Sequence, residues 1–277
     1  GKAASTALST YRSCRNKSSL GRGDGVIRVK IMGKAGNDHY GKTLIQKLLE
    51  NDIDVSGVKE VSSFLPSKRV VMIDKETHES RCVVSPGATA AWTKEDFSYP
   101  GQFGGDEWPN LIVAQMEIDK EVVETMIYTA GEAGIPFCLN AAPASPINPA
   151  LYRFITHLVV SESGAAILLD FTKDKVDKDF PKTAQRLLSL GFENVVITLG
   201  AKGAYYADAK LNGHCAGYPV QVMDTTGASD AFTGASAVLR ANKAAAVSIG
   251  YMGAQGHIPW ADEIDQFDNR HDDRDDF

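Results

Sequence analysis

The sequence predicts an α/β protein, with a mostly parallel sheet flanked by helices and one separate antiparallel hairpin. Two observations carry that expectation. Strand-length apolar runs alternate with helix-length amphipathic stretches from residue 111 onward, which is the pattern of strands joined by covering helices. The 277 residues are 43% hydrophobic and 23% charged, enough apolar material for one large core.

In chain order, residues 6–12 have helical spacing and 16–24 form a polar, glycine-containing turn region. Residues 26–32 alternate as a strand, 33–41 are rich in glycine, and 42–51 are helical. Residues 69–74 and 80–84 make a hairpin around the polar turn 75–79. Then come strand 111–114, helix 120–133, strands 136–140 and 157–160, helix 182–190 and strand 194–199. Residues 1–267 are expected to form one unit, followed by an acidic, solvated tail at 268–277.

A net charge of -6 argues against nucleic-acid or anionic-membrane partners, which need a basic surface. The longest apolar runs are strand-sized and none reaches 18 residues. Cys14, Cys82, Cys138 and Cys215 are widely spaced, with no Cys-x-x-Cys and no visible signal peptide. That pattern predicts reduced thiols and a cytoplasmic setting, with the nucleus also open. The six histidines show no metal-ligand spacing, and Trp92, Trp108 and Trp260 read as packing residues.

The chemistry concentrates in Asp224-Thr225-Thr226-Gly227-Ala228-Ser229-Asp230, a turn of small residues ahead of a carboxylate and the run Ala231-Phe232-Thr233-Gly234-Ala235. A helix starting there points backbone N–H groups and its positive dipole end at an anion, which suits a phosphoryl group in transfer. Asp230 then stands where a substrate hydroxyl gives up its proton. The string closely resembles the signature of the ribokinase family of sugar and nucleoside kinases, in which the last Asp is the catalytic base and Gly stands at the position of Ser229.

Further segments resemble that family in the same order. Gly1-Lys2-Ala3-Ala4-Ser5 resembles the end of its sugar-binding Gly-Gly-Lys-Gly-Ala-Asn, and Gly33, Gly36, Asp38 and Gly41 fit its Gly-x-x-Gly-x-Asp-x-x-Gly turn. Pro86-Gly87-Ala88-Thr89, Gln115 with Glu117, and Leu139 to Ala144 follow, and then Thr198-Leu199-Gly200-Ala201-Lys202-Gly203 on the nucleotide side. The resemblance implies a ribokinase-like fold with a small β lid from residues 58–84, and ATP-dependent phosphorylation of D-ribose at its 5-hydroxyl. It implies Asp230 as base, with Gly227, Ala228 and Ser229 presenting N–H groups to the transition state. Gly1, Lys2, Ser5 and Glu117 would hold the sugar. Ser161, Thr198, Gly200, Ala201, Gly203 and Asn242 would line the nucleotide. Mg2+ would bridge the phosphates, and Asp224, Thr226, Ser248, Gly253 and His257 would surround an activating K+. The lid would also serve a homodimer.

Departures from the pattern touch the chemistry. The family carries a strand, with an Asp to the sugar, ahead of the position of Gly1. Its Asn-x-x-Glu, which orders magnesium and phosphate, falls on Ser161 and Gly164, with Glu162 between them. Impaired turnover is the expectation, and a non-catalytic nucleotide- or sugar-binding protein is the rival. A second rival is a P-loop NTPase, because Gly36 to Thr43 satisfies G-x-x-x-x-G-K-[ST] between a strand and a helix. Against it, Gly33-Lys34-Ala35 intervenes between the expected strand and the first Gly, and Asp38 puts a carboxylate among the amides.

Overall fold

The computed structural model describes residues 1–19, 27–62, 68–73, 80–105, 107–235, 238–251, 255 and 257–267. The first half holds α1 (Lys2–Ser13), β1 (Lys30–Gly36), α2 (His39–Leu49), β2 (Asp54–Val61), β3 (Lys68–Ile73), β4 (Ser80–Ser85) and the short α3 (Gly101–Gly104). Next come β5 (Ile112–Gln115), α4 (Lys120–Glu132), β6 (Phe137–Asn140), β7 (His157–Ser161), α5 (Glu162–Leu169), α6 (Lys173–Lys178), α7 (Phe180–Ser189) and β8 (Asn194–Thr198). The chain continues through β9 (Ala204–Ala207), β10 (Asn212–Cys215), α8 (Ala228–Gly234), α9 (Val238–Ile249) and α10 (Ala261–Asp265).

Periodicity explains the central layer. In α4 an apolar stripe at Val122, Val123, Met126, Ile127 and Ala130 is buried, and the helix starts on Asp119, whose side chain accepts from Glu121 N. It packs over β6, all four residues of which are buried, as expected of a parallel strand covered on both faces. The strands order β10-β9-β8-β7-β6-β5, parallel from β5 to β8 and antiparallel from β8 to β10. β1 and β2 form a separate parallel pair, and β3 with β4 an antiparallel ladder. Helix α1 joins the first pair to the large sheet. It buries Ala4, Ala7, Leu8 and Tyr11 with Ile31, Leu48, Ile53 and Trp260, and Thr6 Oγ1 receives the Gln115 side-chain amide at 3.0 Å. Among the described residues, no helix is long and apolar enough to cross a membrane.

Several boundaries differ from the sequence reading. The strand expected at 26–32 runs instead over Lys30–Gly36, because β2 supplies a partner from Lys30↔Asp54 to Gly36↔Val61; Val26 lies outside the described residues. Helix α2 begins at His39 rather than residue 42, since Asp38 caps it. Residues 58–61, read with the lid, complete β2. The β9–β10 hairpin was not expected; Asp208 Oδ1 closes its turn by accepting from Lys210 N and Leu211 N at 2.6 and 2.7 Å. Trp92 and Trp260 are buried, but Trp108 is 56% exposed and packs no core. Turn 75–79 and tail 268–277 lie outside the described residues.

Candidate active site

The site grows from the turn before α8. Asp224 Oδ1 accepts from Thr226 N at 2.9 Å, and Gly227 adopts φ 89, a left-handed conformation that a side chain disfavours. The chain then enters α8, with Ala228 N donating to Thr225 O at 3.3 Å. Asp230 falls in the first turn of the helix and is only 4% exposed.

Two neighbours fix α8 from opposite sides. From α1, Ser9 Oγ donates to Ala231 O at 2.9 Å and Ser13 Oγ to Gly234 O at 3.2 Å. The helices come so close that a Cβ at Gly234 would lie 2.5 Å from Ser9 Cβ. From the carboxyl end of β6, Asn140 Nδ2 donates to Ser229 Oγ at 3.1 Å and to Thr233 Oγ1 at 2.9 Å. Strand ends of this kind are where open α/β sheets bind ligands.

On the side expected to hold sugar, Lys2 Nζ stands 3.9 Å from Glu117 Oε1, with both side chains partly exposed. Gly1 caps α1, and the buried Ser5 turns its hydroxyl back to Gly1 O at 3.4 Å. The structure therefore brings Lys2 and Glu117 together and points Ser5 into its own helix.

The residues expected to line the nucleotide gather at the ends of β7 and β8. Ser161 caps α5 through Gly164 N at 3.1 Å, and Glu162 Oε1 reaches Lys202 Nζ at 3.5 Å. Thr198 Oγ1 donates to Val160 O at 3.4 Å. Ala201 follows Gly200 in the loop beyond β8, where Gly200 and Gly203 have φ 59 and 93 and a Cβ at Gly203 would run into the Cys215 carbonyl. Asn242 does not stand open toward a ligand. Its amide donates to Cys215 O and Ala216 O at 3.1 and 3.3 Å, strapping α9 to the segment that backs this loop.

The potassium set is not assembled by its side chains. The Ser248 hydroxyl donates to Ala244 O and Ala245 O, and His257 stacks on Tyr251 with ring centroids 4.5 Å apart. Gly253 lies outside the described residues. Asp224 Oδ1 accepts from Thr226 N at 2.9 Å, so among the described residues the Ser248, His257 and Asp224 side chains all have partners within the protein.

The turn from Gly36 to Thr43 differs from what the sequence led us to expect. Strand β1 does run directly into Gly36, so no residues intervene. The inside of the turn counts against the P-loop rival, being occupied by the protein's own groups. Asp38 Oδ1 already accepts from Gly41 N at 2.9 Å, a Cβ at Gly41 would run into the Gly36 carbonyl, and Lys42 is an exposed residue of α2.

Sequence reasoning missed the roles of Ser9, Ser13 and Asn140, whose partners lie far along the chain. It also missed Lys34, whose Nζ donates to Ala91 O at 2.7 Å and Asp96 Oδ2 at 2.6 Å, with Lys59 on the other Asp96 oxygen at 3.1 Å. Burial pushes the Asp96 carboxyl up, but the hydrogen bonds from Lys34, Thr93 N and Lys59 outweigh it and leave the group below its usual range. The Thr93-x-x-Asp96 capping box was the one local signal of this clamp.

Comparison with known proteins bears on this geometry. The pfkB family carbohydrate kinase profile matches residues 13–261, which include the whole 224–230 turn. Ribokinase of Schizosaccharomyces pombe is 30% identical over 261 residues, covering 86% of this chain and 79% of its own. The crystal structure of ribokinase from Thermotoga maritima superposes with a TM-score of 0.76 at 26% identity, covering 97% of this chain and 87% of that one. A structure of Arabidopsis thaliana ribokinase complexed with ribose and ATP shares the fold, with a TM-score of 0.79 at 21% identity, covering 96% of this chain and 86% of that one. With the profile spanning most of the sequence and a relative at this identity, the chain belongs to the pfkB family of carbohydrate kinases and is a sugar kinase, a phosphotransferase.

Proposed function

We propose that the protein transfers the γ-phosphoryl group of MgATP to the 5-hydroxyl of D-ribose. The observation that carries this reading is Asp230, a buried carboxylate in the turn that α1 and β6 hold between them. Asp230 takes the proton of the hydroxyl as its oxygen attacks the γ-phosphorus. The bond from that phosphorus to the β–γ bridging oxygen breaks, and ADP leaves with the electron pair. Backbone N–H groups of Gly227 and Ser229 face the charge that builds on the transferred group, and such stabilisation carries most of phosphoryl-transfer catalysis. Lys2 and Glu117 hydrogen-bond the sugar hydroxyls, each complementing the other's charge across 3.9 Å. The backbone from Thr198 to Gly203 approaches the nucleotide, and Mg2+ arrives with ATP.

Turnover is set low by Ser161 and Gly164. Restoring a glutamate at Gly164 meets resistance, since its Cβ would lie 2.7 Å from Val160 Cγ2. The β3–β4 hairpin serves as a lid and as a homodimer contact. The deciding experiment is a coupled ADP assay with MgATP and ribose, comparing the parent with Asp230→Asn. Loss of about 10²-fold or more in kcat is expected from removing a general base; equal turnover by the two proteins would sink the role of Asp230. MgATP binding without sugar-dependent ADP release would favour the non-catalytic reading.

A further inference from the structure

We infer that Asn140 and Ser229 are a positioning pair that sets the direction in which Asp230 faces its substrate. The inference rests on Asp230 being the base. Asn140 is 2% exposed, and one amide nitrogen serves two hydroxyls, Ser229 Oγ at 3.1 Å and Thr233 Oγ1 at 2.9 Å. Thr233 Oγ1 in turn donates to Ser229 O at 2.7 Å. Residues four apart share one face of a helix. Binding both from a single rigid amide therefore fixes the rotation of α8 about its own axis as well as its distance from β6. Asp230 is the next residue, about 100° further round. Its direction is set by that rotation.

The opposing bonds from Ser9 and Ser13 end on backbone carbonyls, so they hold the helix against α1 while Asn140 holds a side-chain face. Ser229 is thus an engaged residue. Where the family pattern has glycine, this chain carries a serine whose hydroxyl is bound by Asn140 at 3.1 Å. A glycine there would leave half of the Asn140 amide without its acceptor.

The test is steady-state kinetics on the full chain with ribose and MgATP. It compares the parent with Ser229→Ala, Ser229→Gly, Ser229→Thr, Asn140→Ala, the Asn140→Ala/Ser229→Ala double variant, and Asp230→Asn. A small misdirection of a base acts on kcat, so Ser229→Ala and Ser229→Gly are expected to lower kcat roughly tenfold, with both KM values within about twofold. Ser229→Thr keeps the acceptor oxygen and should retain more kcat than Ser229→Ala or Ser229→Gly. The double variant should be no slower than Asn140→Ala alone, because the pair acts as a unit. Ser229→Gly as fast as the parent, a raised KM at unchanged kcat, or additive losses in the double variant would each overturn the pairing. If Asp230→Asn is inactive while the Ser229 variants are silent, the pairing alone fails. If Asp230→Asn retains turnover, or the parent shows no ribose-dependent ADP release, the kinase reading of the site fails and the pairing fails with it.

Discussion

Asp38 and Asp230 each stand at the start of a helix after a glycine-bearing turn, and their surroundings differ in what is done with the carboxylate. Asp38 precedes α2 as its cap and gives its oxygen to Gly41 N, while the Gly36 carbonyl fills the rest of the turn. Asp230 lies inside the first turn of α8, preceded by Gly227, and its neighbours Ser229 and Thr233 are held by Asn140 instead. A capping carboxylate is consumed by its own backbone and stabilises the helix. On the proposed reading, Asp230, in the first turn of a helix that other residues hold, meets the substrate hydroxyl instead. Glycine spacing alone does not distinguish the two, and this is why the first turn satisfies a phosphate-loop pattern while its own carboxylate bonds the Gly41 amide.

The difference can be broken at either end. The largest effect is at Asp230, where the loss to asparagine given above falls on kcat, whereas Asp38→Asn leaves turnover unchanged because asparagine caps as well as aspartate. The parallel ADP assays decide it. Next, Gly41→Ala drives a Cβ into the Gly36 carbonyl, and strain of that kind costs about 1–3 kcal/mol, read as a lowered urea midpoint. Asp38→Ala removes the cap and should cost about 1 kcal/mol in the same melts. No lowering of the midpoint would mean the Gly41 bond is not formed in solution.

Asp96 offers a third use of a carboxylate, as a clamp between strands and loop. Its folded pKa lies below the ordinary value of 3.8, so it contributes stability that is full above that value and is lost as pH falls through the lowered one. Without the clamp, acid unfolding followed by fluorescence would begin at the same pH in the parent and in Asp96→Asn. With the clamp, Asp96→Asn is less stable than the parent near neutrality, and the gap narrows below about pH 4. The smallest expected effect is at Lys42. On an exposed helical face, its removal should leave the MgATP dissociation constant within about twofold by calorimetry, whereas a phosphate-loop lysine would weaken binding severely.

How much of this was legible depended on the range of the interaction. The strand-and-helix alternation from residue 111 to 199 could be read because each element buries a local stripe, as α4 does with Val122 to Ala130. The turn at 224–230 could be read because its chemistry is contiguous. The extent of β1 could not, since its ends are set by a partner strand 24 residues away at Lys30↔Asp54. Nor could the engagement of Ser229, which depends on Asn140 at a separation of 89 residues.

By itself, then, the sequence determined the α/β class and the family resemblance and proposed a candidate base, because periodicity and a local motif need no distant neighbour to be recognised. Only the tertiary structure decided which glycine turn is filled by its own carboxylate, that Lys2 meets Glu117, that Asn242 straps a loop, and that Asn140 holds the face of α8 beside Asp230. Hydrogen bonds and ion pairs act over a few ångströms of space whatever their separation along the chain, so their pairing exists only once the chain has folded.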